Sequence, residues 1–357
     1  MLVNFVNIYP NKIYFLLNHG GHQNIVSNTA RSKKNRLRFE MRYVITSLVN
    51  ILNFDRKNNL FFLWSTGALL INFVPETFLL SKYIDVVHLY KSGMKQEVSP
   101  VIKERFNKCV DILNIGGLQK TLLQPFHVFG YDLFHAGVYS SRYGISIGIP
   151  DNFNFNSNED IDRDAIQVNL KPVNWTSEAG QKLEEALVLP EKVQMFGICR
   201  EIMMTQTRHL FINSLCPTFI ILGTYLGTRR LNEKMNFYAR PVGLRMVVYT
   251  LISIFSTGLY FMVKDVAQVH YETTTDEKLA DLGPDFIEGG IEFYHKILKR
   301  NMALRHFLGK EGEKLYSVKG NENFLLRHKR VPLTARKEYF ELRLQQLQEK
   351  NTDEITS

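Results

Sequence analysis

Two uncharged segments, HLFINSLCPTFIILGTYLGT (His209–Thr228) and MVVYTLISIFSTGLYFMV (Met246–Val263), decide the fold of this chain. Neither contains Asp, Glu, Lys or Arg. At about 1.5 Å per helical residue, each is long enough to cross a hydrocarbon core of about 30 Å. The sequence TRRLNEKMNFYARPVGLR joins them, with five basic residues and one acid. This pattern predicts a transmembrane helical hairpin over residues 209–263; the alternative is a buried hairpin in a soluble protein.

The first apolar segment contains a GxxxG spacing, formed by Gly223 and Gly227. This spacing lets two helices approach closely in lipid, so the two glycines are candidate helix-packing residues. The alternative is that they reflect only the high frequency of glycine in membrane helices.

Composition limits the class of protein but does not identify a partner. The chain has 357 residues, a formal net charge of +9 and 45% hydrophobic residues, enough for one soluble domain of ordinary size and membrane segments. The basic excess fits nucleic acid, anionic lipid or an organelle-targeted protein equally well. Cys109, Cys199 and Cys216 are far apart and include no CxxC, so we expect no disulfide framework and no thiolate metal site.

Residues 1–59 form a basic N-terminal leader. The first 39 residues contain six Lys or Arg and no Asp or Glu, which is typical of a mitochondrial transit peptide. An unstructured tail, or an upstream start codon with Met41 as the working start, would give the same composition.

Residues 60–80 are predicted to form a transmembrane or interfacial helix, since Leu60–Pro75 is uncharged. Residues 81–208 read as an α+β domain with short strands rich in β-branched and aromatic residues. Residues 264–357 read as a helical C-terminal region that packs with this domain, because the hairpin returns the chain to the side it started from. The predicted fold is an α+β membrane protein, and the positive-inside rule places its folded body in the intermembrane space.

The C-terminal run GGIEFYHKILKRNMALRHFLGKEGEKLY (Gly289–Tyr316) closely resembles the signature of the transmembrane protein 177 family. NWTS at 174–177, Arg200-Glu201 and GISIGIP at 144–150 resemble it as well, and the likeness extends over about residues 41–340. The signature positions are Trp175, Gly289, Gly290, Glu292, Phe293, Tyr294, Leu304, Arg305, Gly309, Lys310, Gly312, Glu313, Lys314 and Tyr316.

The resemblance implies a multi-pass protein of the mitochondrial inner membrane that assists cytochrome c oxidase assembly. The family acts in early biogenesis of subunit two, together with that subunit's small two-span membrane chaperone and, indirectly, copper-delivery factors. We therefore expect a non-catalytic protein without a cofactor.

A second pattern resembles integral-membrane zinc metallopeptidases, in which H-E-x-x-H precedes a transmembrane hairpin and E-x-x-x-D follows it. Here Arg200-Glu201-Ile202-Met203-Met204 precedes the hairpin, and Glu272 and Asp276 follow it. Both histidines are replaced, by Arg200 and Met204, and an arginine cannot bind zinc. This predicts a degenerate scaffold in which Arg200 pairs with Glu272 where the metal would sit. Coincidence is the alternative, and an active membrane metallopeptidase in quality control is the rival function.

Other candidate metal ligands and binding surfaces have less support in the sequence. A copper carrier needs two soft ligands held close together, and the sequence does not place Cys109 and Cys199 that way. His127 and His135 are interpreted as ordinary polar residues. A basic patch, predicted to contact anionic lipid headgroups or solvent, comprises Arg327, His328, Lys329, Arg330, Arg336 and Lys337. Nucleic acid is not expected as a partner, because the aromatic interleaving needed for base stacking is absent.

Overall fold

A computed structural model describes residues 3–4, 59–139, 141–324 and 327–356. The predictions for the leader and for Met41 therefore lie outside the described residues, apart from the strand at residues 3–4. The helices are α1 (Asn59–Phe73), α2 (Leu80–Val87), α3 (Pro100–Ile112), α4 (Gly117–Leu122), α5 (Glu178–Leu187), α6 (Glu191–Thr205), α7 (His209–Met235), α8 (Val242–Ala280), α9 (Pro284–Leu308), α10 (Lys310–Leu315) and α11 (Leu333–Thr356). The strands are β1 (Val3–Asn4), β2 (Tyr90–Lys91), β3 (Met94–Lys95), β4 (Leu123–Val128), β5 (Phe134–Gly137), β6 (Ile145–Pro150), β7 (Ile166–Val168) and β8 (Lys171–Pro172). The expectation of a mixed, mostly helical α+β chain is confirmed.

The chain divides into two compact units. We call the first the folded unit; its main parts are Leu70–Cys216 and Thr257–Ser357. We call the second the hairpin unit; it includes Pro217–Ser256 and the start of α1.

Helices α7 and α8 are long and apolar enough to cross a membrane. Of the apolar 18-residue window in each, 11% of α7 and 0% of α8 is buried. The core helix of a soluble protein would be mostly covered by other residues, so this exposure favours hydrocarbon as the surroundings. Within the hairpin unit the two helices are joined by a hydrogen bond of 2.7 Å from Thr224 Oγ1 to Ser256 Oγ.

Helix α1 also belongs mainly to the hairpin unit. Phe61 stacks on Tyr225 with ring centroids 4.5 Å apart, and Thr218 Oγ1 donates to the carbonyl of Ser65 at 3.2 Å. The helix ends at Phe73 and has 15 residues, which rise about 22 Å. Since this is shorter than a hydrocarbon core of about 30 Å, the third span stays a prediction.

The folded unit has a small sheet of order β4-β6-β5, in which β6 is parallel to β4 and antiparallel to β5. The central strand, ISIGIP, is buried at every position. A Cβ on Gly148 would lie 2.9 Å from Val128 Cβ and 3.1 Å from Phe134 Cβ. Glycine at position 148 therefore leaves room for the side chains of Val128 and Phe134 from the two flanking strands.

Helix boundaries follow local signals. Ser177 caps α5, accepting a hydrogen bond from Gly180 N at 3.0 Å, and α9 begins at Pro284. Helix α9 packs on α5, α6, α10 and α11, and contributes to two hydrophobic clusters. The short helix α10 follows α9 directly after Gly309.

Candidate functional site

The two halves of the peptidase-like pattern meet in the folded unit. Met204 on α6 accepts a hydrogen bond at Sδ from Thr275 Oγ1 on α8, at 3.3 Å. Glu272 and Asp276, one turn apart on α8, are buried, as is Glu201 on α6. Residues 68 or more positions apart are thus brought into one polar cluster.

Asp276 is paired with Arg336 of α11. The arginine donates from Nε at 2.6 Å and from Nη2 at 2.8 Å, and the two side chains are each 5% exposed. Tyr294 Oη donates to the same carboxylate at 2.8 Å, and the guanidinium lies 4.7 Å above its ring. Burial, and then the charge of Asp276, raise the pKa of Tyr294 against the opposing charge of Arg336. The phenol therefore remains a proton donor.

Glu272 is also satisfied, but not by the residue that the sequence suggested. It accepts from Gln268 Nε2 at 2.7 Å and from the backbone N–H of Val331 at 3.2 Å, with Arg336 Nη1 at 3.6 Å. The predicted ion pair between Arg200 and Glu272 is wrong. Helix α11 places Arg336 beside Glu272 and Asp276 of α8. Arg200 instead forms an ion pair with Glu201, the next residue on α6.

Arg200 and His135 instead bind Glu201. Arg200 Nη1 lies 2.6 Å from one carboxylate oxygen, and His135 Nδ1 lies 2.6 Å from the other. Burial alone would raise the pKa of Glu201, but the charge of Arg200 and the hydrogen bond of His135 outweigh burial and lower it to about 2. Burial likewise opposes the charged form of His135, but the hydrogen bond to Glu201 and the negative charges of Glu201 and Glu76 together raise the pKa of His135. This is a tightly held, charged triad.

Sequence reasoning missed His135 and Glu76. His135 lies on β5, 66 positions before Glu201, and a lone histidine on a four-residue strand gives no sequence signal of this contact. Glu76 follows α1. Burial raises its pKa to about 7, against the charge of His135 and a hydrogen bond from the Gly137 backbone.

The cluster does not fit a zinc ion. The two histidine positions of the peptidase pattern hold Arg200 and Met204, and each oxygen of Glu201 is occupied by a cationic partner. Both oxygens of Asp276 accept hydrogen bonds from Arg336. No group of three His, Cys, Asp or Glu within the described ranges could hold a metal ion. Chemically, ion pairs join α8 to α11 and α6 to β5, and the hydrogen bond from Thr275 to Met204 joins α8 to α6.

Signature residues at the start of α9 lie at helix contacts. A Cβ on Gly290 would lie 2.9 Å from the rings of Phe196 and Phe340, and one on Gly289 would lie 2.9 Å from the carbonyl of Lys192. These glycines let α9 lie directly against α6 and α11. Phe293 and Tyr294 follow in the buried core.

The later signature residues stabilise the turn after α9. Arg305 Nη1 donates to the carbonyl of Tyr316 at 2.7 Å, and a Cβ on Gly312 would overlap the Arg305 backbone. Leu304 and Tyr316 belong to the second hydrophobic cluster, and Trp175 Nε1 donates to the carbonyl of Arg163 at 3.3 Å. Of the others, Gly309 separates α9 from α10, Glu313 lies 3.7 Å from Arg305, Glu292 is half-buried, and Lys310 and Lys314 are exposed.

The GxxxG glycines make no close helix contact within the described chain. A Cβ on Gly223 or Gly227 would meet no atom within 4 Å. The expected packing through these glycines is therefore absent between the described helices, since no described side chain or backbone approaches this face of α7.

The structure also brings together two cysteines that are distant in sequence. Cys109 on α3 and Cys199 on α6 are both fully buried in one hydrophobic cluster, and Cys109 Sγ donates to the carbonyl of Met195 on α6 at 3.5 Å. The sequence alone does not indicate this proximity, which results from the packing of α3 against α6.

Comparison with known proteins identifies the family. A family model described as Transmembrane protein 177 matches residues 92–326. Transmembrane protein 177 of Xenopus laevis is 32% identical over 229 residues, which are 63% of this chain and 74% of the relative. Transmembrane protein 177 of Homo sapiens is 27% identical over 255 residues, 70% of this chain and 80% of the relative. No solved structure matches, so a metallopeptidase-like scaffold is not shown. By sequence, this chain belongs to the transmembrane protein 177 family.

Proposed function

We propose that this chain is a non-catalytic assembly factor of the mitochondrial inner membrane. It supports the biogenesis and stability of cytochrome c oxidase subunit two, together with that subunit's small two-span membrane chaperone. Copper-delivery factors act beside it indirectly. The family resemblance suggests this role, and the two apolar helices are consistent with a membrane location.

The observation that carries the non-catalytic role is the pairing of Arg336 with Asp276. A hydrolytic metal site needs an ion with an open position for water, and carboxylates free to hold it. Here a buried guanidinium lies beside the acids of α8, and Glu201 is engaged by Arg200 and His135. These contacts favour a rigid folded unit that presents a binding surface.

The surface of the hairpin unit suits contacts within a membrane. Large apolar side chains are exposed on both helices, including Phe219 at 64%, Leu251 at 61% and Phe255 at 73%. Lipid tails or the helices of a client subunit would cover them. The open face at Gly223 and Gly227 would allow close approach by a helix of another chain.

The test is depletion of the protein followed by pulse-labelling of mitochondrial translation products. We expect newly made subunit two to decay faster than in control cells, while other mitochondrially encoded subunits decay at their normal rates. Affinity purification of the full chain should recover subunit two and its chaperone. Unchanged decay of subunit two would overturn the proposal.

A membrane metallopeptidase-like quality-control protein is the second candidate. The convergence of α6 and α8 at Met204 and Thr275 favours it. The variant Arg200→His with Met204→His restores both histidines of the pattern. Zinc retained by the purified, folded variant would support a degenerate peptidase scaffold, whereas no retained zinc would leave the sequence pattern as coincidence.

A further inference from the structure

The basic patch seen in the sequence divides in the structure. Arg336 is buried on Asp276, and Lys337 pairs with Glu341 one turn along α11, at 3.0 Å. Arg330 lies within 4 Å of two carboxylates, at 3.7 and 3.9 Å. These three cations are engaged within the protein. Of the remaining basic side chains of the patch, Arg327 contacts α8, and His328 and Lys329 lie near the Phe324 ring.

Arg327 is fixed to α8 by two kinds of contact. Its Nη1 lies 2.6 and 2.7 Å from the two oxygens of Asp265, and its guanidinium carbon lies 3.9 Å from the centre of the Phe261 ring. Its side chain is nevertheless 29% exposed. The positive charge of Arg327 therefore lies close to the end of the uncharged stretch Met246–Val263.

Two lysines, Lys264 and Lys329, lie near Arg327. Lys264 is the first charged residue after the uncharged stretch, and it lies within electrostatic range of Arg327 and Lys329. Lys329 is exposed, with its ammonium 5.8 Å from the Phe324 ring. Arg327 is paired with Asp265, and Lys264 and Lys329 add two positive charges near it, an excess of positive charge close to the end of the uncharged stretch.

We propose that Lys264, Arg327 and Lys329 form a binding site for the phosphate of an anionic phospholipid headgroup. Lysine and arginine donate charge-assisted hydrogen bonds to phosphate oxygens. Phe261 and Met262, which are 37% and 59% exposed, come just before Lys264 on α8 and would contact the acyl chains. This site depends on α8 lying in a membrane and is independent of the proposed assembly role.

The surroundings of the three cations favour a lipid over RNA or free phosphate. Arg327 covers one face of the Phe261 ring, whereas binding of a single RNA strand relies on several aromatic faces in series. Free phosphate would leave the exposed apolar residues beside the cations without a partner. A phospholipid satisfies both the charged and the apolar parts of the surface.

The test uses the full chain in nanodiscs of phosphatidylcholine with one part in five phosphatidylglycerol. The enrichment of the anionic lipid around the protein is measured by mass spectrometry of retained lipids. A basic residue near an anionic surface contributes about 1 kcal/mol, or about fivefold, so Lys264→Gln with Lys329→Gln should weaken the affinity for the anionic lipid by about fivefold to thirtyfold and bring the retained lipid close to the bulk composition. The matched control, Lys171→Gln with Lys182→Gln, removes the same charge at an exposed position of β8 and a half-buried position of α5, and should leave the enrichment unchanged.

Charge-conserving substitutions separate binding from folding. Lys264→Arg with Lys329→Arg should retain the enrichment, and a loss as large as that of the glutamine variant would overturn the proposal. Equal losses in the control variant, or no loss in the glutamine variant, would also overturn it. Displacement of the anionic lipid from the original chain by millimolar inorganic phosphate, or by an RNA oligonucleotide, would overturn it as well.

Discussion

The substitution Arg336→Ala provides the sharpest test of the buried cluster. It removes both hydrogen bonds to Asp276, the contact with the Tyr294 ring and the nearby positive charge beside Glu272. Two acids of α8 are then left in a region that water barely reaches. We expect the variant to be strongly destabilised.

The magnitude follows from burial. Arg336 and Asp276 are each 5% exposed, and truncating one member of such a buried pair costs about 3–5 kcal/mol. For a folded unit of this size, each kcal/mol lowers Tm by about 2–4 °C, so the expected fall is about 6–20 °C. Arg343→Ala is the matched control on the same helix. Its pair with Asp281 is also short, at 2.7 Å, but is 40% and 66% exposed, so we expect about 0–1 kcal/mol.

The assay is thermal unfolding of the full chain in nanodiscs, followed by intrinsic fluorescence. Adding Asp276→Asn to Arg336→Ala should recover part of the loss, because the uncompensated charge is removed. The reasoning is refuted if Arg336→Ala is no more destabilising than Arg343→Ala. It is also refuted if the double variant loses the sum of the two single effects.

Three further predictions concern the folded unit. The pKa of His135 is raised in the folded protein, so His135 stabilises the fold below its unfolded pKa of about 6.5, and this stability is lost as the pH rises through the higher folded pKa. The pKa of Glu201 is lowered, so Glu201 stabilises the fold above its unfolded pKa of 4.5, and this stability is lost as the pH falls towards about 2. The difference in Tm between the original chain and His135→Gln should therefore be largest near pH 4.5–6.5 and smaller at pH 9; a constant difference would contradict the ion pair. Gly290→Ala places a methyl group against two aromatic rings and should cost about 1–3 kcal/mol in chemical denaturation; an unchanged midpoint would show that α9 is not so tightly packed. The neighbouring thiol of Cys109, and then burial, raise the pKa of Cys199, so maleimide should label neither thiol until the protein is unfolded, as read by mass spectrometry; rapid labelling of the folded chain would show the thiols to be accessible.

Sequence alone was sufficient for features that depend on a segment and its immediate surroundings. The uncharged stretches of α7 and α8 predict the two membrane helices, because a charged side chain in hydrocarbon is costly wherever the rest of the protein lies. Ser177 and Pro284 mark the starts of α5 and α9, because a capping hydroxyl and a fixed φ angle act within one helical turn. Family membership also followed from the sequence, through the signature in α9 and α10.

Tertiary structure decided which charges meet. Arg200, Arg330 and Arg336 are chemically equivalent candidates to neutralise the acids of α8, and no local pattern distinguishes them. The choice depends on how α6, α9 and α11 pack, and Gly290 sets this packing by letting Phe196 and Phe340 approach α9. The same holds for the thiols of α3 and α6 and for the contact between His135 and Glu201. A buried charge is stabilised only by partners within a few ångströms, and long-range packing determines which side chains come that close.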